Sequence, residues 1–275
     1  MISVIVSTYN WPAALNLSLL SLMRQSERDF EIVIADDGSR PDTSDLISSF
    51  QKQSPIKIIH SWQPDEGFRL AKSRNEAVKK SSGDYLIFVD GDCILPEFFI
   101  RRYKSILNEN KVVVGPRILL SECYTKELLN NSASLCWESF DSWQGTYKLW
   151  KNKKCNRFLT AVNIPLGNVL RDRMAGKRWQ QLRGCNWGLS RGDFYAVGGQ
   201  DESFKGWGLE DSDMAIRLIN KKVLLRSGRY AGIPVYHLWH HQSDPKNVEE
   251  KKALLMKRLK NKVIFPQIGI SLDIS

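Results

Sequence analysis

Leu86-Ile87-Phe88-Val89-Asp90-Gly91-Asp92 is an apolar run that stops at two carboxylates one glycine apart. Bulky apolar side chains ahead of a polar turn read as a buried strand whose carboxyl end opens onto a ligand site. The glycine permits close approach of backbone to ligand, and hard carboxylate oxygens suit Mn²⁺ or Mg²⁺ bridging a diphosphate. Alone, the same residues also fit an ordinary Asp-Gly turn. The surrounding sequence decides between the two.

Working outward, three further β-branched runs precede it: Ile2 to Val6, Glu31 to Ala35 and Ile56 to Ile59. Between the runs lie stretches with helical apolar spacing, such as Leu15, Leu19 and Leu22, then Leu70, Ala71, Ala77 and Val78. Strands alternating with helices predict parallel β-α-β units, which bind ligands at the carboxyl ends of the strands. Polar residues collect at those ends: Ser7-Thr8-Tyr9-Asn10, Asp36-Asp37-Gly38-Ser39 and Asp90-Gly91-Asp92. From about Arg117 to Arg183 the alternation fades into a stretch rich in Trp, Lys, Arg and Asn, read as helices and loops carrying an acceptor-side surface. A strand-like pattern resumes at Gly184 to Ser190. Glu210 to Asn220 then predicts a helix with Met214, Ala215, Leu218 and Ile219 on one face.

A chain of 275 residues, 42% hydrophobic and 25% charged, is globular in composition and long enough for a sizeable core. The five cysteines are scattered, with no C-x-x-C pair, which excludes a recognisable zinc ribbon and fits a reducing compartment. Met1 to Ser7 lacks a basic leader region, and no run reaches the roughly 20 apolar residues of a membrane span, so a cytoplasmic protein is expected. The formal charge of +10 fits a phosphorylated substrate, an anionic membrane surface or nucleic acid. No nucleic-acid motif accompanies it, and the acidic strand ends would repel bare phosphates, so no nucleic-acid partner is expected.

Val4 to Asn10, Ile34 to Ser39, Glu66 to Asn75 and Tyr85 to Asp92 together resemble the donor half of glycosyltransferase family 2. The resemblance implies the GT-A fold, a Rossmann-like, mostly parallel α/β sheet with flanking helices. It also implies roles. Ser7, Thr8, Tyr9 and Asp37 fall at nucleoside positions, Asp90 near the ribose and Asp92 on the metal. Arg69 and Arg74 face the nucleotide or orient the acidic loop, since guanidinium pairs bidentately with phosphate or carboxylate. A purely structural salt bridge is the alternative for Arg74.

Gly206-Trp207-Gly208-Leu209-Glu210-Asp211 resembles the W-G-x-E-D segment of β-1,4-galactosyltransferases and chondroitin-polymerase-type enzymes, with Leu209 where the former usually carry glycine. In those enzymes the aspartate deprotonates the acceptor hydroxyl while the tryptophan and glutamate hold the acceptor sugar, which here implies Asp211, Trp207 and Glu210. Independently, an indole face suits the C–H face of a sugar. The helix dipole favours ionised carboxylates in the first turn, although plain helix capping would place acids there too.

Three of the four histidines fall in Val235-Tyr236-His237-Leu238-Trp239-His240-His241. Imidazole is a good Mn²⁺ ligand, and the resemblance implies that His237, with His240 in reserve, completes the metal shell begun by Asp92.

We expect residues 1–245 to form one glycosyltransferase domain, with 1–116 the nucleotide-sugar half and 117–245 the acceptor half. Residues 246–275 are expected to be a basic amphipathic extension that docks on the domain or lies on anionic membrane. The expected partners are a UDP-sugar donor and a glycan or lipid-linked glycan acceptor. A nucleotide-sugar-binding subunit without turnover is the rival reading, but such a protein has no use for a base.

Overall fold

In the computed structural model, residues 1–132, 135–176, 178–241 and 248–270 are described. β1 (Ile2–Thr8) and β2 (Phe30–Asp36) are buried along their whole length, as both faces of a parallel sheet are when helices cover them. Along β1, Val4 and Val6 face one core with Ile32, Ile34, Ile87 and Val89, while Ile5 faces the other with Val33, Leu86 and Phe88. α1 (Pro12–Met23) and α2 (Pro41–Gln53) each begin with proline, whose fixed φ and missing N–H suit a helix start. β3 (Ile58–Trp62), α3 (Leu70–Lys80) and β4 (Tyr85–Asp90) complete the expected alternation.

The main sheet has seven strands in the order β3-β2-β1-β4-β8-β6-β9, where β6 is Lys111–Val114, β8 is Asn186–Ser190 and β9 is Leu224–Ser227. β1 to β4 run parallel, and β8 is inserted antiparallel between β4 and β6. On β8, Trp187 lies fully buried and stacks on Phe88 at 4.0 Å between ring centroids.

A second sheet orders β5 (Cys93–Ile94), β10 (Val235–His237) and β7 (Arg117–Leu119) as β5-β10-β7. β5 starts immediately after Asp92, and its register sets Cys93 opposite His237. This pairing delivers a histidine from far down the chain to the strand-end carboxylate. Behind the sheet lie α5 (Glu122–Asn130), α6 (Glu138–Asp141) and α7 (Trp143–Lys151), packed on Tyr236 and Leu238. The stretch expected to be helices and loops thus opens with a short strand, β7, before its helices.

α10 (Glu210–Asn220) spans the predicted residues and buries Met214, Ala215 and Leu218 in the second core. α11 (Val248–Lys260) docks on it. Leu255 packs with Phe204 and Ile216, and Arg258 reaches Asp213 at 2.5 Å and Asp201 at 2.6 Å, both fully buried. The chain beyond returns to the domain, where the backbone N–H groups of Gln267 and Ile268 donate to Asp201 and Ile270 enters the second core. Of the 246–275 extension, residues 246, 247 and 271–275 lie outside the described residues.

Candidate active site

Arg74 is fully buried and holds the centre of the site. Its Nε donates to Ser7 Oγ at 2.9 Å, Nη2 to Asp90 Oδ1 at 2.9 Å and to the Gly184 carbonyl at 2.8 Å, and Nη1 to Asp211 Oδ1 at 3.1 Å. One guanidinium therefore joins the ends of β1 and β4, the entry to β8 and the first turn of α10. A side chain at Gly184 would come within 2.6 Å of Asp211 Oδ2, so the approach requires glycine there. Arg74 realises both readings of the sequence at once: it is a buried salt bridge, and it orients the acidic groups.

Asp92, His237 and His240 bring one ligand atom each to within 4.8 Å of one another. His237 Nδ1 lies 2.8 Å from the Leu238 carbonyl and His240 Nδ1 2.8 Å from the His241 carbonyl, contacts that only an N–H can make. In the neutral imidazoles this leaves the Nε2 lone pairs facing Asp92, at 3.5 Å from Oδ1 and 3.3 Å from Oδ2. Lone pairs opposed across such a gap repel unless a cation lies between them. Backbone carbonyls fixing the far nitrogen are the usual support of metal-binding histidines. The residues therefore fit Mn²⁺ better than Mg²⁺, which prefers oxygen to imidazole, with His240 present beside His237 rather than in place of it. Burial raises the Asp92 pKa, His237 and His240 pull it down only when protonated, and Asp90 pushes it up.

Of the residues expected around the nucleoside, Thr8, Tyr9 and Asp37 are tied to one another or to the segment 63–69. Thr8 accepts the Asp37 N–H at 3.1 Å through its carbonyl, and Tyr9 is half-exposed with its hydroxyl 2.9 Å from Asp65. Asp37 is buried, which raises its pKa, and it accepts from Gln63 Nε2 and from the backbone N–H of Arg69 at 2.6 Å. The Arg69 guanidinium itself turns to Glu66 and the Pro64 carbonyl, so this arginine shapes the loop instead of facing the pocket.

Of the residues expected on the acceptor side, Trp207 is exposed, whereas Glu210 is buried and Asp211 largely so at the start of α10. The first-turn dipole does not decide their ionisation. Burial raises the Asp211 pKa, with Arg74 pulling it down and Asp90 pushing it up. Burial first, and then Asp211, raise Glu210 to about 8, and its Oε2 has no hydrogen-bond partner among the described residues. Desolvation outweighs the dipole because the helix start is covered by protein, not water. Leu209 takes a left-handed φ of 77°, which accounts for the preference for glycine at this place in the resembling enzymes.

The Glu210 shift has a consequence for stability. Its folded pKa lies above the ordinary value of 4.5, so between about 4.5 and 8 the folded state holds a proton that the unfolded state has lost. This contribution is complete at low pH and is lost as pH rises through about 8. Glu210→Gln should flatten the fall in urea stability between pH 5.5 and 7.5 by up to ~1.4 kcal/mol per pH unit. Equal slopes for the two proteins would contradict the assignment.

Lys251 of α11 carries no local sequence signal for a role here, yet it holds the loop through Gly206, Trp207 and Gly208. Its Nζ donates to the carbonyls of Gly206, Trp207 and Gly208 at 3.0, 3.1 and 3.3 Å. Charged hydrogen bonds contribute about 1.5–3 kcal/mol. Lys251→Met should therefore slow transfer to acceptor by about tenfold or more and leave UDP affinity unchanged, with Lys251→Arg restoring part of the loss. A variant with wild-type transfer rates would remove Lys251 from acceptor positioning.

The glycosyl transferase family 2 profile matches residues 3–191, and a profile for the N-terminal domain of galactosyltransferase matches residues 167–242. Validoxylamine A glucosyltransferase of Streptomyces hygroscopicus subsp. jinggangensis is 28% identical over 253 residues, covering 89% of this chain and 57% of that protein. Chondroitin synthase of Escherichia coli is 25% identical over 251 residues, covering 86% of this chain and 34% of the relative. The chain thus spans little more than half, or less, of these relatives' length. Among solved structures, S. aureus TarS 1–349 in complex with UDP-GlcNAc superposes with a TM-score of 0.64 at 15% identity, covering 98% of this chain and 68% of that one. That likeness is one of fold, the GT-A fold. With the family profile spanning most of the chain and Asp90 and Asp211 both bonded to Arg74, this protein belongs to glycosyltransferase family 2.

Proposed function

We propose that the protein transfers a hexose or N-acetylhexosamine from a UDP-sugar to a glycan hydroxyl, with inversion at the anomeric carbon, in the synthesis of a bacterial surface polysaccharide or lipopolysaccharide. The observation that carries this reading is the meeting of Asp90 and Asp211 on Arg74, which sets the donor-side strand end against the acceptor-side helix start. UDP-galactose and UDP-N-acetylgalactosamine are the first donors to try, from the W-G-x-E-D likeness. The names of the relatives widen the set to glucose and N-acetylglucosamine.

Asp211 is proposed as the base that takes the acceptor proton. Its burial raises its affinity for a proton toward the working range, while Arg74 and the Gly184 N–H keep the carboxylate form accessible. Trp207 stacks on the acceptor ring and Glu210 hydrogen-bonds it, held neutral by burial near pH 7 and so able to donate as well as accept. Ser7, Thr8, Tyr9, Asp37 and Asp90 line the nucleoside, with Arg69 and Arg74 fixing that wall from behind. Asp92, His237 and His240 would hold Mn²⁺ or Mg²⁺, which when bound supplies positive charge for the departing diphosphate.

The acceptor is proposed to be a glycan, free or lipid-linked, reached from the cytoplasmic side of the membrane. No helix among the described residues is long and apolar enough to cross a bilayer. The outward face of α11, with Lys252, Met256, Lys257, Leu259 and Lys260, fits peripheral contact with anionic lipid. The test is a panel of UDP-sugars with Mn²⁺ and candidate glycan acceptors, read as UDP release. A donor turned over only with metal supports the reading. Tight UDP binding without turnover of any donor would favour the non-catalytic subunit.

A further inference from the structure

α7 buries Thr146 and Leu149 and leaves the adjoining faces outward. Trp143, Tyr147 and Trp150, at i, i+4 and i+7, are 44%, 39% and 43% exposed. Phe158, from the segment that follows, packs against the Tyr147 and Trp150 rings at 5.1 and 5.0 Å, and the adjoining Leu159 is 58% exposed. Around this apolar ridge stand Lys148, Lys151, Lys153 and Arg157, all exposed and without an ion pair among the described residues, whereas Lys154 is held by Glu127. No acidic residue occurs between Asp141 and Asp172. Trp150, Lys151, Lys153 and Cys155 also line an open hollow of about 460 Å³.

We propose that this face of α7 is the surface by which the enzyme sits on an anionic lipid bilayer, independently of α11. Two features select lipid over other occupants. Indole and phenol rings prefer the headgroup boundary, where one edge is apolar and the other wet. The excess of positive charge, four free cations against Glu127 and Glu138 at the edge of the face, matches an anionic headgroup layer. A hollow with an indole wall and two ammonium groups fits a phosphate-bearing headgroup. The inner side of the helix meets Tyr236, which hydrogen-bonds Thr146 and the Phe140 carbonyl. Because Tyr236 adjoins His237, seating α7 on lipid would fix the small sheet, and with it the site, relative to the membrane.

The experiment is co-sedimentation of the full chain with vesicles of phosphatidylcholine containing about one-third phosphatidylglycerol, against vesicles of phosphatidylcholine alone, with tryptophan emission recorded in parallel. The wild type should pellet with the anionic vesicles, shift its emission to the blue, and be released by salt. Lys151→Glu with Lys153→Glu should weaken binding by about tenfold or more, and Trp143→Ser with Trp150→Ser should abolish the blue shift. All these side chains are exposed, and unchanged circular dichroism would confirm that both variants fold. Lys257→Glu with Lys260→Glu on α11 removes whatever that helix adds to binding and should leave the blue shift of the α7 tryptophans in place. A wild type that stays in the supernatant at low salt overturns the proposal, as does unchanged pelleting of both α7 variants. Retention on a soluble polysaccharide but not on vesicles would also overturn it, by assigning the ridge to glycan.

Discussion

Asp211→Asn is expected to lower sugar transfer by about 10²–10⁴, the usual worth of a general base. Asparagine preserves the shape of the side chain and its place against Arg74 Nη1 and Gly184, but its amide cannot accept the proton. UDP affinity measured with Mn²⁺ should change by less than about threefold, roughly 0.6 kcal/mol, because Asp90 keeps its own bond to Arg74 Nη2. Transfer at the wild-type rate would reduce Asp211 to a helix-start residue. A joint loss of donor affinity would place it on the donor side instead.

The second large effect is expected at Asp92. Asp92→Ala should abolish specific Mn²⁺ binding, read from the Mn²⁺ paramagnetic resonance signal without any nucleotide, because it removes the charged member of a three-residue set. His237→Ala and His240→Ala should each weaken binding by about 10–100-fold, the His237 variant more, since that imidazole is buried and pinned by the β5–β10 register. Three variants that bind Mn²⁺ like the wild type would leave the cluster as a hydrogen-bonded structural group.

The first four strands could be read from the sequence because each is an apolar, β-branched run closed by a polar loop, and their order along the chain is the order of a parallel α/β unit. Their ends differ by up to three residues, as at β3, where the pairing with β2 extends to Trp62 beyond the apolar run. The small sheet could not be read. β5 and β10 are two and three residues long, too short for periodicity to appear, and they exist because pairing joins distant segments. The same pairing explains why His240 could be ranked behind His237 in the sequence although both face Asp92 in space.

The electrostatic expectation for the α10 start failed for a different reason. The dipole is a local property visible in sequence, whereas the burial that raises Glu210 and Asp211 depends on α11 and the β8 entry folding over them. Lys251 is hidden in the same way, since its three carbonyl partners lie on a loop far away in sequence. In α7 the aromatic spacing was present in the sequence, but only the burial of Thr146 and Leu149 shows which face is left outward.

Titration calorimetry of UDP into the wild-type protein, once with Mn²⁺ and once with excess EDTA, tests most directly that a metal-centred donor site lies at Asp92. Two phosphates brought toward Asp90 and Asp92 meet like charge unless a cation intervenes. The account predicts binding with Mn²⁺ and an affinity at least about tenfold weaker in EDTA, a difference of about 1.4 kcal/mol or more. Equal affinity under the two conditions would contradict it.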